Sequence, residues 1–174
     1  MTRPRGRMLR QVVDWRATAV AALAGAITFL LVITTLLPAN TGGSPWAVFR
    51  YLASPLLGRG VLPPPATFDA GVVVVALLVV LVISFFYAAI LTTIIHRWGL
   101  IVGLIGGALY GLAIYAINFF TLTLLFDWFY ALRSWPVLIA HVLFGAVTGF
   151  VYELLEVERF VPLEQESVPG QRSP

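Results

Sequence analysis

Residues 99–111, with the sequence GLIVGLIGGALYG, decide the fold, because glycine recurs at every fourth position of a long apolar run. In water, each glycine in a helix costs roughly 1 kcal/mol relative to alanine. A membrane helix recovers that cost, since small residues let two backbones approach closely where no hydrophobic effect drives helices together. The pattern therefore predicts a transmembrane helix built for close packing. The glycines predicted to pack are Gly99, Gly103, Gly107 and Gly111, with Gly145 and Gly149 in the next apolar run.

The composition excludes a soluble protein. Of 174 residues, 60% are hydrophobic and 11% are charged, whereas soluble domains carry about 25% charged residues. The chain has no cysteine, which excludes disulfides, thiolate metal sites and cysteine nucleophiles. We find no catalytic, cofactor or nucleotide motif. The sequence therefore predicts a protein that is not an enzyme, holds no cofactor, binds no nucleic acid and has the lipid bilayer as its main partner.

Four apolar runs predict an all-α membrane protein with a four-transmembrane-helix bundle. Each run has about the 20 residues that cross a bilayer core as a helix. The spans are predicted at about 17–37, 71–95, 100–126 and 137–155, so the transmembrane domain covers 17–155. The remaining segments are a basic cytoplasmic N-terminus at 1–16 and an acidic cytoplasmic tail at 156–174, disordered from about Glu164.

The arginines predict the orientation. All eleven basic residues are arginine. With the N-terminus inside, eight arginines fall in cytoplasmic segments and three, Arg50, Arg59 and Arg133, in outer segments. This asymmetry favours a multi-pass protein of the bacterial cytoplasmic (inner) membrane with both termini inside.

The first outer loop is long and has its own helical pattern. Ser44 and Pro45 are typical of an N-cap followed by proline at the first helical position. Apolar residues then recur at helical spacing, which predicts a short helix over about 45–57 lying on the outer membrane interface.

Polar residues near the outer ends of the spans form a candidate polar cavity. His141 lies one turn inside the fourth span, and ionisable residues at membrane depth default to functional hypotheses. We expect Asp127 to have a partner, with Arg133 the first choice and Arg50 the second. The predicted cavity residues are Arg50, Asp69, Asn118, Asp127 and His141.

His141 has two other interpretations, one structural and one as a ligand of metal or haem. It could simply hydrogen-bond a neighbouring helix, as polar residues in bundles do. It could also bind metal or haem, but His96 lies at the other end of the second span, on the order of 20 Å away. A shared site within one chain is therefore excluded, while pairing across a dimer, or with Asn118 and Asp127, stays open. We predict no metal site.

Four stretches resemble a family of small four-span bacterial inner-membrane proteins with no established activity. They are Gly43-Ser44-Pro45-Trp46 with Arg50, residues 62–69 (LPPPATFD), Asn118-Phe119-Phe120, and Ala140-His141 with Phe144-Gly145. The resemblance implies the four-span layout and no functional residues.

Three functions are compatible with the sequence. The first is a structural or accessory subunit or small homo-oligomer, packed through its glycine-ladder helices and joined to membrane-complex partners. The second is a small-solute transporter or channel with an outward-facing polar cavity. The third is a haem- or metal-binding membrane subunit.

Overall fold

Five α-helices make up most of the described chain. The structure is a computed structural model that describes residues 9–11, 13–96, 98–157 and 160–162. Four of its helices are long and apolar enough to cross a membrane. This confirms the predicted all-α class and indicates a multi-pass membrane protein. The helices are α1 (Trp15–Thr41), α2 (Pro45–Leu57), α3 (Ala70–Ile95), α4 (Leu100–Phe120) and α5 (Trp135–Leu155).

Short polar side chains set where several helices begin. The Asp14 carboxylate accepts hydrogen bonds from the backbone N–H groups of Arg16 and Ala17, so α1 starts two residues before the predicted span. Ser44 caps α2 through the N–H of Trp46, and Asp69 caps α3 through the N–H of Val72. These caps satisfy N–H groups that have no partner within the helix.

Two predicted span ends differ from the structure. The first span was expected to stop at 37, but α1 continues through Pro38 to Thr41 and ends at Gly42, which has a left-handed conformation. The third span was expected to reach 126, but α4 ends at Phe120. The apolar residues that follow form 3-10 helices at Leu122–Leu124 and Asp127–Leu132. They are apolar because several of them line an internal cavity, so hydropathy alone extended the span too far.

The helices pack in the order α3, α1, α5, α4. The most extensive contact joins α4 to α5, followed by those of α1 with α5 and with α3, whereas α3 and α4 touch little although they are consecutive. α2 lies on α3 and α1, at the end of the bundle where α1 ends and α3 begins. We call this the α2 end, and the opposite end the terminal end.

The terminal end carries both ends of the described chain. Residues Leu9–Gln11 (β1) pair antiparallel with Phe160–Pro162 (β2). The segments before α1 and after α5 therefore lie on the same side of the bundle. Most of the basic N-terminus, and the part of the tail expected to be disordered, fall outside the described residues.

Candidate functional site

The contact between α4 and α5 is made by backbone atoms. A Cβ added at Gly107 would overlap the carbonyl oxygen of Gly145, and one at Gly111 would overlap that of His141. At Gly103, an added Cβ would lie 2.7 Å from the carbonyl oxygen of Gly149. Gly145 and Gly149 are equally restricted from the other side. Only glycine fits these positions, because any side chain would push the two helices apart.

Gly99 has the four-residue spacing of the glycine ladder (Gly99, Gly103, Gly107 and Gly111), but it does not pack against α5. It is the N-cap residue of α4, with φ of 84°, and a Cβ there would meet open space. Its glycine is explained by the left-handed backbone of a tight turn, rather than by packing.

A chain of hydrogen bonds joins three helices near the α2 end. His141 Nδ1 lies 2.7 Å from the carbonyl oxygen of Val137, and because a carbonyl only accepts, Nδ1 carries the proton. His141 Nε2 then accepts from Asn118 Nδ2 at 3.1 Å. The Tyr87 hydroxyl donates to Asn118 Oδ1 at 3.2 Å. Asn118, on α4, is therefore held by α5 on one side and by α3 on the other.

Both ring nitrogens of His141 are occupied by these bonds, and the ring is only 7% exposed. The aromatic rings of Phe29, Tyr115 and Phe119 contact it edge to face. Within the described parts of the chain, no group of three His, Asp or Glu residues could hold a metal ion. His141 as placed is thus a neutral imidazole in a hydrogen-bonded chain.

The other predicted cavity residues lie elsewhere. Buried Arg50 donates to the carbonyl oxygens of Val61 and Thr67 and so holds the loop after α2. Asp69 caps α3. Of the predicted set, only Asn118 and His141 come together.

Asp127 pairs with neither expected arginine. Its carboxylate accepts a 2.6 Å hydrogen bond from Arg59, and both side chains are exposed. Arg133 instead stacks its guanidinium on Phe120, 4.2 Å from the ring centroid. The sequence favoured the nearest arginine, whereas the fold joins two loops that are 68 residues apart.

The hydrogen-bonded residues Tyr87, Asn118 and His141 border a cavity of about 210 Å³ between α1, α3, α4 and α5. Its wall is almost entirely apolar and rich in phenylalanine. None of the described residues that line it is Arg, Asp or Glu. The polar residues among them are Ser84, Tyr87, Asn118 and His141.

Ser84 is the unusual member of this lining. The residue is 5% exposed, and no hydrogen bond of its hydroxyl is found within the described chain. The oxygen is not fully enclosed by protein, because it borders the open space of the cavity. Ser84 and Tyr87 were not predicted from the sequence. Their spacing of three residues, on one face of a span that is otherwise apolar up to its last turn, was the available sign.

The cavity is covered at the α2 end and reaches the surface at its side. α2 and residues 121–134, which we call the cover, contribute Leu52 and Phe129 to the cavity wall. At the side, Ile83 of α3 is 45% exposed and Leu122, just after α4, is 37% exposed, and both also line the cavity. The opening therefore lies between α3 and the end of α4, where these helices touch little.

Comparisons with models of known protein families, with curated proteins and with solved structures find no match for this chain. No residue role is therefore transferred to it from a known protein.

Proposed function

We propose that the protein is a multi-pass protein of the bacterial inner membrane that binds a small molecule in the cavity beside Asn118 and His141 and works as a transporter or carrier. The observation that carries this proposal is the hydroxyl of Ser84, which lies in the cavity wall and has no hydrogen-bond partner within the described chain. A ligand oxygen or N–H group in the cavity could bond to it. Apolar pockets with a few converging polar groups are the usual form of small-molecule sites.

The glycine ladder does not support the alternative of an assembly subunit. Its members Gly103, Gly107 and Gly111 are covered by α5 of the same chain. They are therefore occupied within the chain and offer no free face to a second copy or to a partner. A homo-oligomer or accessory role would need another surface.

Binding, rather than catalysis, is the activity we propose. Nucleophilic catalysis by serine or threonine needs a base within hydrogen-bond reach. Among the described residues, no serine or threonine hydroxyl is bonded to a histidine ring. The nitrogens of His141 are bonded to Asn118 and Val137 instead, so the proposal assigns His141 a positioning role at the cavity wall.

The proposed orientation has the α2 end outside and both termini in the cytoplasm. The pairing of Leu9–Gln11 with Phe160–Pro162 supports termini on one side, and the arginine asymmetry supports that side being cytoplasmic. We further propose that α2 lies in the outer interface, since it exposes Trp46 and Leu56 to 37% and 71%. Trp residues are enriched at this depth.

The proposal is tested by thermal unfolding of the purified protein with a panel of solutes and amphiphiles, followed by flux in proteoliposomes for any compound that binds. We expect at least one compound to raise the unfolding temperature. Ser84→Leu fills the cavity and should abolish that shift. Thr93→Leu is the matched control, because Thr93 lies exposed on the same helix away from the cavity, and it should keep the shift.

Two results would overturn the proposal. One is that no compound changes the unfolding temperature or crosses proteoliposomes faster than empty liposomes. The other is a shift that survives in Ser84→Leu, which would place the binding site outside this cavity.

A further inference from the structure

We infer that the ligand is an uncharged amphiphile of the bilayer, which enters sideways between α3 and α4 and places a hydroxyl or carbonyl oxygen against Ser84. This inference rests on the proposed function and names its substrate class. It replaces the small solute and the outward-facing polar cavity that the sequence suggested.

The lining excludes a charged head group. Of the described residues around the cavity, none carries a permanent charge, and His141 is engaged as a neutral ring. A charge moved from water into such a site would have no counter-charge and would lose its hydration. A hydroxyl or carbonyl oxygen loses far less hydration than a charge does and can recover part of it by bonding to the hydroxyl of Ser84.

The cavity volume is large enough for one compact head group and the first carbons of an alkyl chain. An apolar cavity of about 150 Å³ binds benzene, and this one encloses about 210 Å³. A whole lipid does not fit. The remainder of an amphiphile would extend through the opening at Ile83 and Leu122. Ile83 lies in the middle of α3 and Leu122 just after the end of α4, so the emerging alkyl chain would lie among lipid tails.

The route from water is closed by bonds across the cover. The Trp128 indole N–H donates to the Ser54 hydroxyl at 2.8 Å, which joins the 121–134 segment to α2. Arg59 bonds Asp127 at 2.6 Å and stacks over the Trp128 ring at 4.6 Å. At the side, two hydrogen bonds join α3 to α4 among the described residues, from Tyr87 to Asn118 and from Tyr110 to the carbonyl oxygen of Tyr87, and no ion pair joins these helices.

The inference is tested with the full chain in lipid nanodiscs and a photoactivatable long-chain alcohol as the probe. Labelled peptides are identified by mass spectrometry. We expect saturable labelling of peptides from α3 and α4 that face the cavity. The unlabelled alcohol and the matching ketone should compete at least tenfold better than an alkyl sulfonate of the same chain length. Equal competition by the sulfonate would overturn the inference, and this test needs only the wild-type protein.

Two variant pairs test the contact and the route. Ser84→Ala should weaken labelling about fivefold, the equivalent of one hydrogen bond, whereas Thr93→Ala should not change it. Ile83→Trp should slow labelling by blocking the opening, whereas Leu81→Trp, on the same helix and outside the cavity, should not. Asp127→Asn loosens the cover and should leave the rate unchanged. Unchanged labelling in Ser84→Ala, or faster labelling in Asp127→Asn, would contradict the inference.

The two proposals fail differently. If a hydrophilic solute stabilises the protein through the cavity and the alcohol does not label it, the proposed function stands and this inference falls. If neither binds, both fall.

Discussion

The two faces of α4 differ in what joins them to their neighbours. Toward α5, the contact is backbone against backbone, at Gly103, Gly107 and Gly111. Toward α3, it depends on side chains: Tyr87 bonds Asn118, and the Tyr110 hydroxyl donates to the carbonyl oxygen of Tyr87 at 3.0 Å. We call the α4–α5 contact the tight seam and the α3–α4 contact the loose seam.

The difference shows where this bundle can open. A backbone seam cannot widen without losing every close contact along it, because no side chain is present to span a larger gap. A side-chain seam widens when a rotamer changes and one or two hydrogen bonds break. The cavity lies on the loose seam and its opening lies between the same two helices, so ligand exchange needs no movement of the tight seam.

The largest loss of stability is expected from a substitution in the tight seam. Gly107→Ala places a Cβ onto the carbonyl oxygen of Gly145, and overpacking of this kind typically costs about 1–3 kcal/mol, with backbone contacts at the upper end. We expect a loss of about 3 kcal/mol in the free energy of unfolding, measured by denaturation in mixed detergent micelles.

Gly106→Ala is the matched control for that measurement. A Cβ at Gly106 would meet only Ile95 Cγ2, at an ordinary 3.8 Å. Since alanine favours helix over glycine by roughly 1 kcal/mol, this variant should be as stable as the wild type or slightly more so. Equal destabilisation by both substitutions would show that the seam is not tight.

The tight seam was largely predictable from sequence, and the loose one was not. Glycine at spacing four is visible because close helix packing depends on the residue type itself. The exception, Gly99, has the right spacing but serves a turn outside the helix. Ser84 gave little indication, because a serine in an apolar span ordinarily bonds its own backbone, and only the fold shows that this one does not.

The ion pair between residues of two separate loops could not be predicted from the sequence either. Arg59 and Asp127 are brought together by how α2 lies on α1 and α3, and nothing local encodes that placement. The predicted end of the third span failed for a related reason. Apolar residues facing an internal cavity have the same hydropathy as residues facing lipid, so the change at Phe120 from membrane helix to cover is not recorded in composition.

An intermediate effect is expected where the two seams meet. Asn118 bonds His141 on α5 and Tyr87 on α3. Asn118→Ala leaves the buried His141 Nε2 without a donor, and an unsatisfied buried group costs about 1–3 kcal/mol. We expect a loss of about 2 kcal/mol in the free energy of unfolding. Asn40→Ala, at an exposed position near the end of α1, should change little. If both variants lose the same amount, the hydrogen-bonded chain contributes nothing.

The smallest effect is expected on the loose seam alone. Tyr87→Phe removes the hydroxyl that donates to Asn118, and such bonds between membrane helices average about 0.6 kcal/mol. Stability should therefore fall only slightly, while the separation of α3 and α4 should become more variable. Because the chain has no cysteine, spin labels placed by Leu81→Cys and Leu112→Cys report this distance specifically. Tyr130→Phe, at an exposed residue, is the control.

A double substitution decides whether that small effect belongs to the seam. In the Asn118→Ala background the Tyr87 hydroxyl has already lost its acceptor. Tyr87→Phe should then add almost nothing, either to the loss of stability or to the spread of the distance between α3 and α4. Fully additive effects would mean that the Tyr87 hydroxyl acts independently of Asn118, since Tyr87→Phe keeps the ring contact with Tyr110, whose centroid lies 6.5 Å away. The hydrogen bond from Tyr87 to Asn118 would then contribute little to the α3–α4 seam, and breaking it would not be enough to open that seam.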